Sequence, residues 1–262
     1  MKYVTLLTDF GLRDGYTAVM KGVIWSIAPD AQVADITHSV SPQNVLEGAL
    51  TLARCLPYFP AGTVHIAVVD PGVGTGRRPI AAQLGSHFFV GPDNGLATFI
   101  IQQAKEWGGE LQIVHLNRPE YWLDSVSTVF HGRDIFAPVG AHIVNGVPLD
   151  RLGATIQDPV LLKISPPQRV DGGWQGEVIH IDSFGNLATN LVREQFNSDP
   201  QTVCVEIGGQ TIQGLVQAFG ERPPGELVAL FDSSGYLSIA VVNGDAAKRI
   251  GARVGSQVLV KT

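Results

Sequence analysis

The chain is poor in cysteine, in charge and in long apolar runs. Two cysteines, Cys55 and Cys204, are too few for a disulfide framework and too isolated for a zinc site, so both are assigned to the core. Charged residues make up 16% of the chain, with 18 basic against 24 acidic. The net charge of −6 lacks the positive bias that phosphate-backbone binding needs, and no Lys/Arg run exceeds two residues, which excludes nucleic acid as a partner. Met1 leads straight into Tyr3-Val4-Thr5-Leu6-Leu7 with no apolar leader, and no later stretch reaches membrane-spanning length. A soluble, cytoplasmic protein without membrane contact is expected. Histidines at zinc-helix spacing, an Asp-rich calcium loop and a Gly-x-Ser-x-Gly elbow are all missing, so neither a metal site nor a serine nucleophile is expected.

What is present is enough apolar sequence, 45% of 262 residues, for one or two substantial cores. In the first half, β-rich runs (Tyr3–Thr8, Gln32–Ile36, Val64–Val69, Phe88–Val90, Gln112–Leu116) alternate with helical periodicity at Tyr16–Ile27, Val45–Cys55 and Leu96–Trp107. Ser41-Pro42 reads as an N-cap with proline at the first helical position. This alternation predicts an α/β layer on a largely parallel sheet over residues 1–157. Turn-rich text, with Pro166-Pro167 and Asp171-Gly172-Gly173, marks a linker at 158–172. Residues 173–262 hold short strands at Glu177–Ile181, Val203–Ile207, Thr211–Leu215, Leu227–Phe231 and Leu237–Val242, with Gly208-Gly209 joining two of them, and predict a small β-barrel or sandwich.

Four segments carry candidate chemistry. Thr8-Asp9-Phe10-Gly11 closes the first strand, at the sheet edge where α/β folds bind ligands; Asp9 could grip ribose hydroxyls or merely cap a turn. Asp70-Pro71-Gly72-Val73-Gly74-Thr75-Gly76-Arg77-Arg78 follows another strand and brings an acid, a glycine-rich loop and two guanidinium groups together. It lacks the Walker Lys-Ser/Thr pair, and Pro79-Ile80-Ala81-Ala82 reads as strand where a Rossmann fingerprint needs a helix, which argues against a dinucleotide cofactor. Phe130-His131-Gly132-Arg133-Asp134 offers an imidazole just before a helix at Ile135–Val144; with Asp70 and Arg77 it would form an acid, base and cation set for positioning water, and alone it could equally be structural. Asp182-Ser183-Phe184-Gly185-Asn186 combines an aromatic face, a carboxylate and an amide that suit a nucleobase, or else builds a tight Asx hairpin.

In order, Thr8-Asp9-Phe10-Gly11, Asp70-Pro71-Gly72-Val73-Gly74, Gly91-Pro92-Asp93-Asn94-Gly95, Phe130-His131-Gly132-Arg133-Asp134 and Ser183-Phe184-Gly185-Asn186 resemble the S-adenosylmethionine (SAM) hydroxide adenosyltransferase family, the SAM hydrolases, which are related to SAM-dependent fluorinases and chlorinases. The resemblance spans nearly the whole chain. It implies a Rossmann-like α/β domain followed by a C-terminal β-barrel, and a homotrimer with sites between subunits. The activity it implies is cleavage of SAM by water to adenosine and methionine, with SAM as substrate and no cofactor. Carried over by motif, Asp70, Arg77 and His131 handle water, with Arg77 chosen over Arg78 by spacing alone. Asp9 matches a ribose ligand, Asp14 and Asp182 acids near the methionine amino group, Phe184 and Asn186 the adenine contacts, and Ser233 and Ser234 the methionine carboxylate site. Three positions depart from the halogenases. Ser234 replaces an arginine, Gln43 a tryptophan, and Asp70 a tyrosine; Gly132 falls at their halide-contacting position. An anionic Asp70 repels a halide and favours water. Halogenase-type transfer, and a module that binds SAM without turning it over, remain the alternatives.

Overall fold

Tyr3–Thr8 (β1) has five buried residues in succession, so it has no polar face and needs cover on both sides. It lies just inside the edge strand of a seven-stranded sheet with Gln32–Thr37 (β2), Val64–Val68 (β3), Pro79–Leu84 (β4), His87–Pro92 (β5), Leu111–Leu116 (β6) and Gly153–Thr155 (β7), in the order β2-β1-β3-β5-β4-β6-β7. The structure, a computed structural model, describes residues 1–262 and divides between Lys163 and Ile164 into two compact units. Helices Tyr16–Ile27 (α1), Val45–Cys55 (α2), Thr98–Glu106 (α3), Ala137–Val144 (α4) and Leu149–Leu152 (α5) complete the first unit.

Alternate side chains of the strands feed two cores. Val4, Leu6 and Ile66 pack with Met20 and Ile24 of α1 and Val139 of α4. Leu7, Ala67 and Val69 pack with Leu52 of α2 and Ile100 of α3. The result is helix, sheet, helix.

One expectation holds with a qualification and two need correction. The sheet is largely parallel, with β2, β1, β3, β5 and β6 running the same way, but the tight turn at Gly85-Ser86 folds β4 back antiparallel between β5 and β6, and β7 is antiparallel to β6. Helix α2 is capped by Asn44, whose side chain accepts from Glu47 N at 3.1 Å, and not by Ser41 with Pro42. Cys55 and Cys204 are unpaired as expected, but they are half-buried at the margin of the core and not within it.

The second unit is all β but for the short helix Ala246–Ile250 (α6). Gln168–Val170 (β8), Gly173–Ile181 (β9), Leu187–Val192 (β10), Cys204–Ile207 (β11), Gln210–Gln213 (β12), Leu227–Phe231 (β13), Tyr236–Val241 (β14) and Gln257–Lys261 (β15) run in the order β12-β11-β15-β9-β10-β14-β13, with β8 on β9. Gly208 and Gly209, with φ of 53° and 74°, make the two-residue turn between β11 and β12. Just past β12, Leu215 bridges Ala229 of β13, so the sheet curls back on its own far edge as a nearly closed barrel. No helix in either unit is long and apolar enough to cross a membrane.

Candidate active site

The motifs of the first unit meet at the carboxyl ends of β1 and β3, the edge where open α/β sheets hold ligands. A cavity of about 610 Å³ there is lined by Asp9, Phe10, Tyr16, Gln43, Asp70 and His131, among others. That volume lies within the ordinary range for a small-molecule site. One wall is aromatic: Phe10, Tyr16 and Phe130 meet edge to face, with centroids 5.3–6.1 Å apart.

Asp70, Arg77 and His131 form one hydrogen-bonded cluster. Arg77 Nε donates to Asp70 Oδ1 at 3.0 Å, and Arg77 Nη2 donates both to Asp70 Oδ2 and, at 3.1 Å, to His131 Nδ1. The Asp70 and Arg77 side chains are only 5% and 6% exposed, and the guanidinium also stacks on Phe136. Arg78 turns the other way, to Asp93 and Asp158. Burial first, and then the neighbouring Arg77 charge, lower the His131 pKa, with Asp70 and Asp134 opposing, so the imidazole is neutral at neutral pH. Arg77 itself does not line the cavity. It stands behind Asp70 and His131, each of which accepts a hydrogen bond from it.

His131 precedes a π-helical turn, Gly132–Phe136, that leads into α4. In this turn the fully buried Asp134 accepts from Ser127 N at 2.8 Å and pairs with Arg133, which ties the loop over the cavity to the helix that carries the imidazole. Asp9 is fixed from another direction. Its Oδ2 accepts from Gln43 N at 2.8 Å, with Gln43 held at a φ of 64°, which costs a non-glycine residue of order 1 kcal/mol. Sequence reasoning missed the support beneath it: buried Thr8 Oγ1 meets His38 Nδ1 at 2.9 Å, His38 Nε2 lies 3.0 Å from Asp35, and Gly11 N donates to His38 O at 2.7 Å. Asp14 is exposed on the loop before α1 and does not line the cavity.

The remaining candidates lie in the second unit, on two turns built alike. In Asp182-Ser183-Phe184-Gly185-Asn186, Asp182 Oδ1 accepts from the backbone N–H of Phe184 and Asn186, both at 2.9 Å, and Oδ2 from Asn186 Nδ2 at 2.8 Å. In Asp232-Ser233-Ser234-Gly235-Tyr236, Asp232 Oδ1 accepts from Ser234 N at 2.8 Å and Tyr236 N at 3.1 Å. The glycines sit at φ of 84° and 83°. The first turn is therefore an Asx hairpin, and it leaves Phe184 74% exposed. Asp182, Phe184 and Asn186 gather at one end of β10, where Leu187 pairs with Ile239. Ser233 and Ser234 lie at the other end, where Val192 pairs with Tyr236.

An α/β unit with an acid, an arginine and an imidazole hydrogen-bonded together at its ligand edge, followed by a nearly closed β-barrel, has the layout of a small-molecule enzyme. Among such enzymes, the chain belongs to the SAM hydroxide adenosyltransferase family: residues 4–153 match the family's N-terminal domain and residues 176–259 its C-terminal domain. It is 40% identical over 262 residues to the (R)-S-adenosyl-L-methionine hydrolase of Thermus thermophilus, covering 98% of this chain and 99% of that one. The enzyme of the same name from Salinispora arenicola is 38% identical over 260 residues, covering 98% and 97%. A fluorinase from Nocardia brasiliensis is 27% identical, covering 98% and 96%. The crystal structure of a conserved protein from Thermotoga maritima, 37% identical, superposes with a TM-score of 0.91 and covers 99% of this chain and all of that one.

Proposed function

We propose that the chain is a SAM hydrolase: water attacks C5′ of SAM, the C5′–S bond breaks, and adenosine, methionine and one proton are released. The observation that carries this reading is the hydrogen-bonded Asp70–Arg77–His131 cluster at the cavity wall, a carboxylate, guanidinium and imidazole set suited to positioning and deprotonating a water. Full-length relatives named for the same reaction support it, and their names favour the (R) sulfonium epimer.

The chemistry fits the charges. A sulfonium loses its positive charge as a nucleophile with anionic character arrives, so charge disperses in the transition state and a site that excludes bulk water helps. Asp70 accepts a hydrogen bond from the attacking water and takes its proton as the C–O bond forms, and His131 orients the same oxygen. Positioned proton transfer of this kind contributes about 10²–10⁴ in rate. Asp9 holds the ribose hydroxyls. Asp14 and Asp182 serve the methionine amino group, Ser233 and Ser234 the carboxylate, and Phe184 and Asn186 the adenine. The turn that carries the last two, Asp182 with them, comes from a neighbouring copy in a homotrimer. The enzyme needs neither metal nor cofactor and works in the cytoplasm.

Incubation with resolved (R)- and (S)-SAM, with and without chloride, tests the reading. Adenosine and methionine in equal amounts, faster from the (R) epimer and unchanged by chloride, are expected. A 5′-chloro nucleoside, or bound SAM that persists, overturns it. For the shared site, Asp70→Ala and Asn186→Ala chains are mixed and reassembled, and partial return of activity is expected.

A further inference from the structure

Gly91-Pro92-Asp93-Asn94-Gly95 contributes nothing to the cavity lining, yet it sits directly under the loop that carries Asp70 and Arg77. The strand order explains why. The chain leaves β3 at Val69 and enters β4 after Arg78, but β5 lies between those two strands, so the loop must step across the carboxyl end of β5. The residues that continue β5 are therefore placed between the loop's two feet.

Each foot is held by one side chain of that segment. At the first, Asn94 Nδ2 donates to Val69 O at 2.8 Å, the carbonyl that begins the peptide bond to Asp70. Asn94 Oδ1 meanwhile accepts from Leu96 N at 3.2 Å, which fixes the amide's orientation. At the second, Asp93 Oδ2 accepts from Arg78 Nε at 2.8 Å, and Asp93 N donates to Arg78 O at 2.9 Å. Asp93 Oδ1 accepts from Val160 N at 2.7 Å, and the side chain is only 1% exposed. Arg77 and Arg78 are neighbours entering a strand, so their side chains point to opposite sides. Holding Arg78 on Asp93 thus aims Arg77 at Asp70 and His131.

We propose that Asn94 and Asp93 are positioning residues that set the distance and aim of the Asp70–Arg77 pair by pinning both ends of the loop between β3 and β4. The functional consequence rests on the hydrolase reading; the geometric one does not. Asn94→Asp tests it, since it keeps the acceptor for Leu96 N and replaces the donor facing Val69 O with an oxygen that repels it. A misplacement of about 1 Å at a reacting group can cost about a hundredfold, so kcat for SAM should fall roughly tenfold to a hundredfold while KM, set by Asp9 and the aromatic wall, stays within about twofold. Asp93→Asn, which keeps the shape and the acceptor for Val160 N but removes the charge facing Arg78, should act in the same direction and less strongly. The second measurement is ¹⁵N NMR of the His131 ring, which reports the Arg77 contact whether or not the enzyme turns over. It should shift away from the wild-type pattern in Asn94→Asp, and folding is checked by thermal melting. Equal losses in kcat and 1/KM, or a wild-type His131 signal in a folded Asn94→Asp protein, overturn the clamp. Absence of SAM turnover in the wild type, with the His131 signal moving as expected, overturns the hydrolase reading and leaves the clamp standing.

Discussion

Arg77 Nη2 lies 3.1 Å from His131 Nδ1, and because a guanidinium only donates, the imidazole nitrogen is the acceptor. A neutral His131 must then carry its proton on Nε2, so it offers the cavity a donor, and Asp70 is left as the acceptor for the water's proton. This tautomer is directly observable. The ¹⁵N spectrum of the ring should show a protonated Nε2 and a bare Nδ1, and Arg77→Met should turn it into a mixture. A protonated Nδ1 in the wild type would make His131 the base instead.

Asp70→Asn and His131→Ala should each lower kcat for SAM at least about tenfold with little change in KM, because both act on water rather than on the ligand. Asp9→Ala should do the reverse, raising KM through a lost ribose contact. Steady-state kinetics separate the two patterns; near-normal kcat in both of the first pair would remove the cluster from the chemistry.

The pH profile follows from the same histidine. Burial and the Arg77 charge hold the His131 pKa below its ordinary 6.5, so the neutral, working form persists as the pH falls through that value. The acid limb of kcat/KM attributable to His131 should begin below pH 6.5. A limb at or above 6.5 would mean that burial and Arg77 together do not outweigh Asp70 and Asp134 at the ring in solution.

A buried histidine pair governs acid stability. His65 is fully buried, bonded through Nδ1 to Thr5 at 2.8 Å and through Nε2 to His87 at 3.3 Å. Burial, and then His87, push its pKa down to about 3. The unfolded chain therefore binds a proton that the folded chain refuses. Stability is intact above about pH 6.5 and declines as the pH falls from there toward 3, by about 1.4 kcal/mol per unit for one proton. Urea unfolding at pH 8, 6, 5 and 4 should show this slope, and His65→Gln should flatten it. Equal slopes in both proteins would assign the acid sensitivity elsewhere.

Elements with a local signal were legible in the sequence: β1 and β13 occupy the residues of short, continuous apolar runs, and α1 those of a repeat that buries Met20 and Ile24 four positions apart. The antiparallel β4 was visible as a strand but not its place, which depends on a hairpin inserted between β5 and β6. The Ser41-Pro42 reading failed because a good capping pair lay three residues ahead of the asparagine that in fact caps. At the site, the acid, arginine and imidazole could be named from their motifs, whereas His38 beneath Thr8 and Asn94 beneath Val69 could not. Their partners are 30 and 25 residues away, and nothing in the chain marks a bond across that distance.

The turn that carries Phe184 is fastened on two sides. Its Gly185 carbonyl accepts from Ala247 N at 3.0 Å, and a methyl group at Gly185 would meet Asp245 Oδ1 at 2.1 Å, so α6 leaves no room for any other residue there. An exposed phenyl ring on a loose loop gives up conformational freedom each time it stacks on a ligand. Here the backbone beneath the ring has lost that freedom on folding, and the entropy has been surrendered before any ligand arrives. Adding flexibility at this turn should therefore weaken capture while every contact atom remains in place.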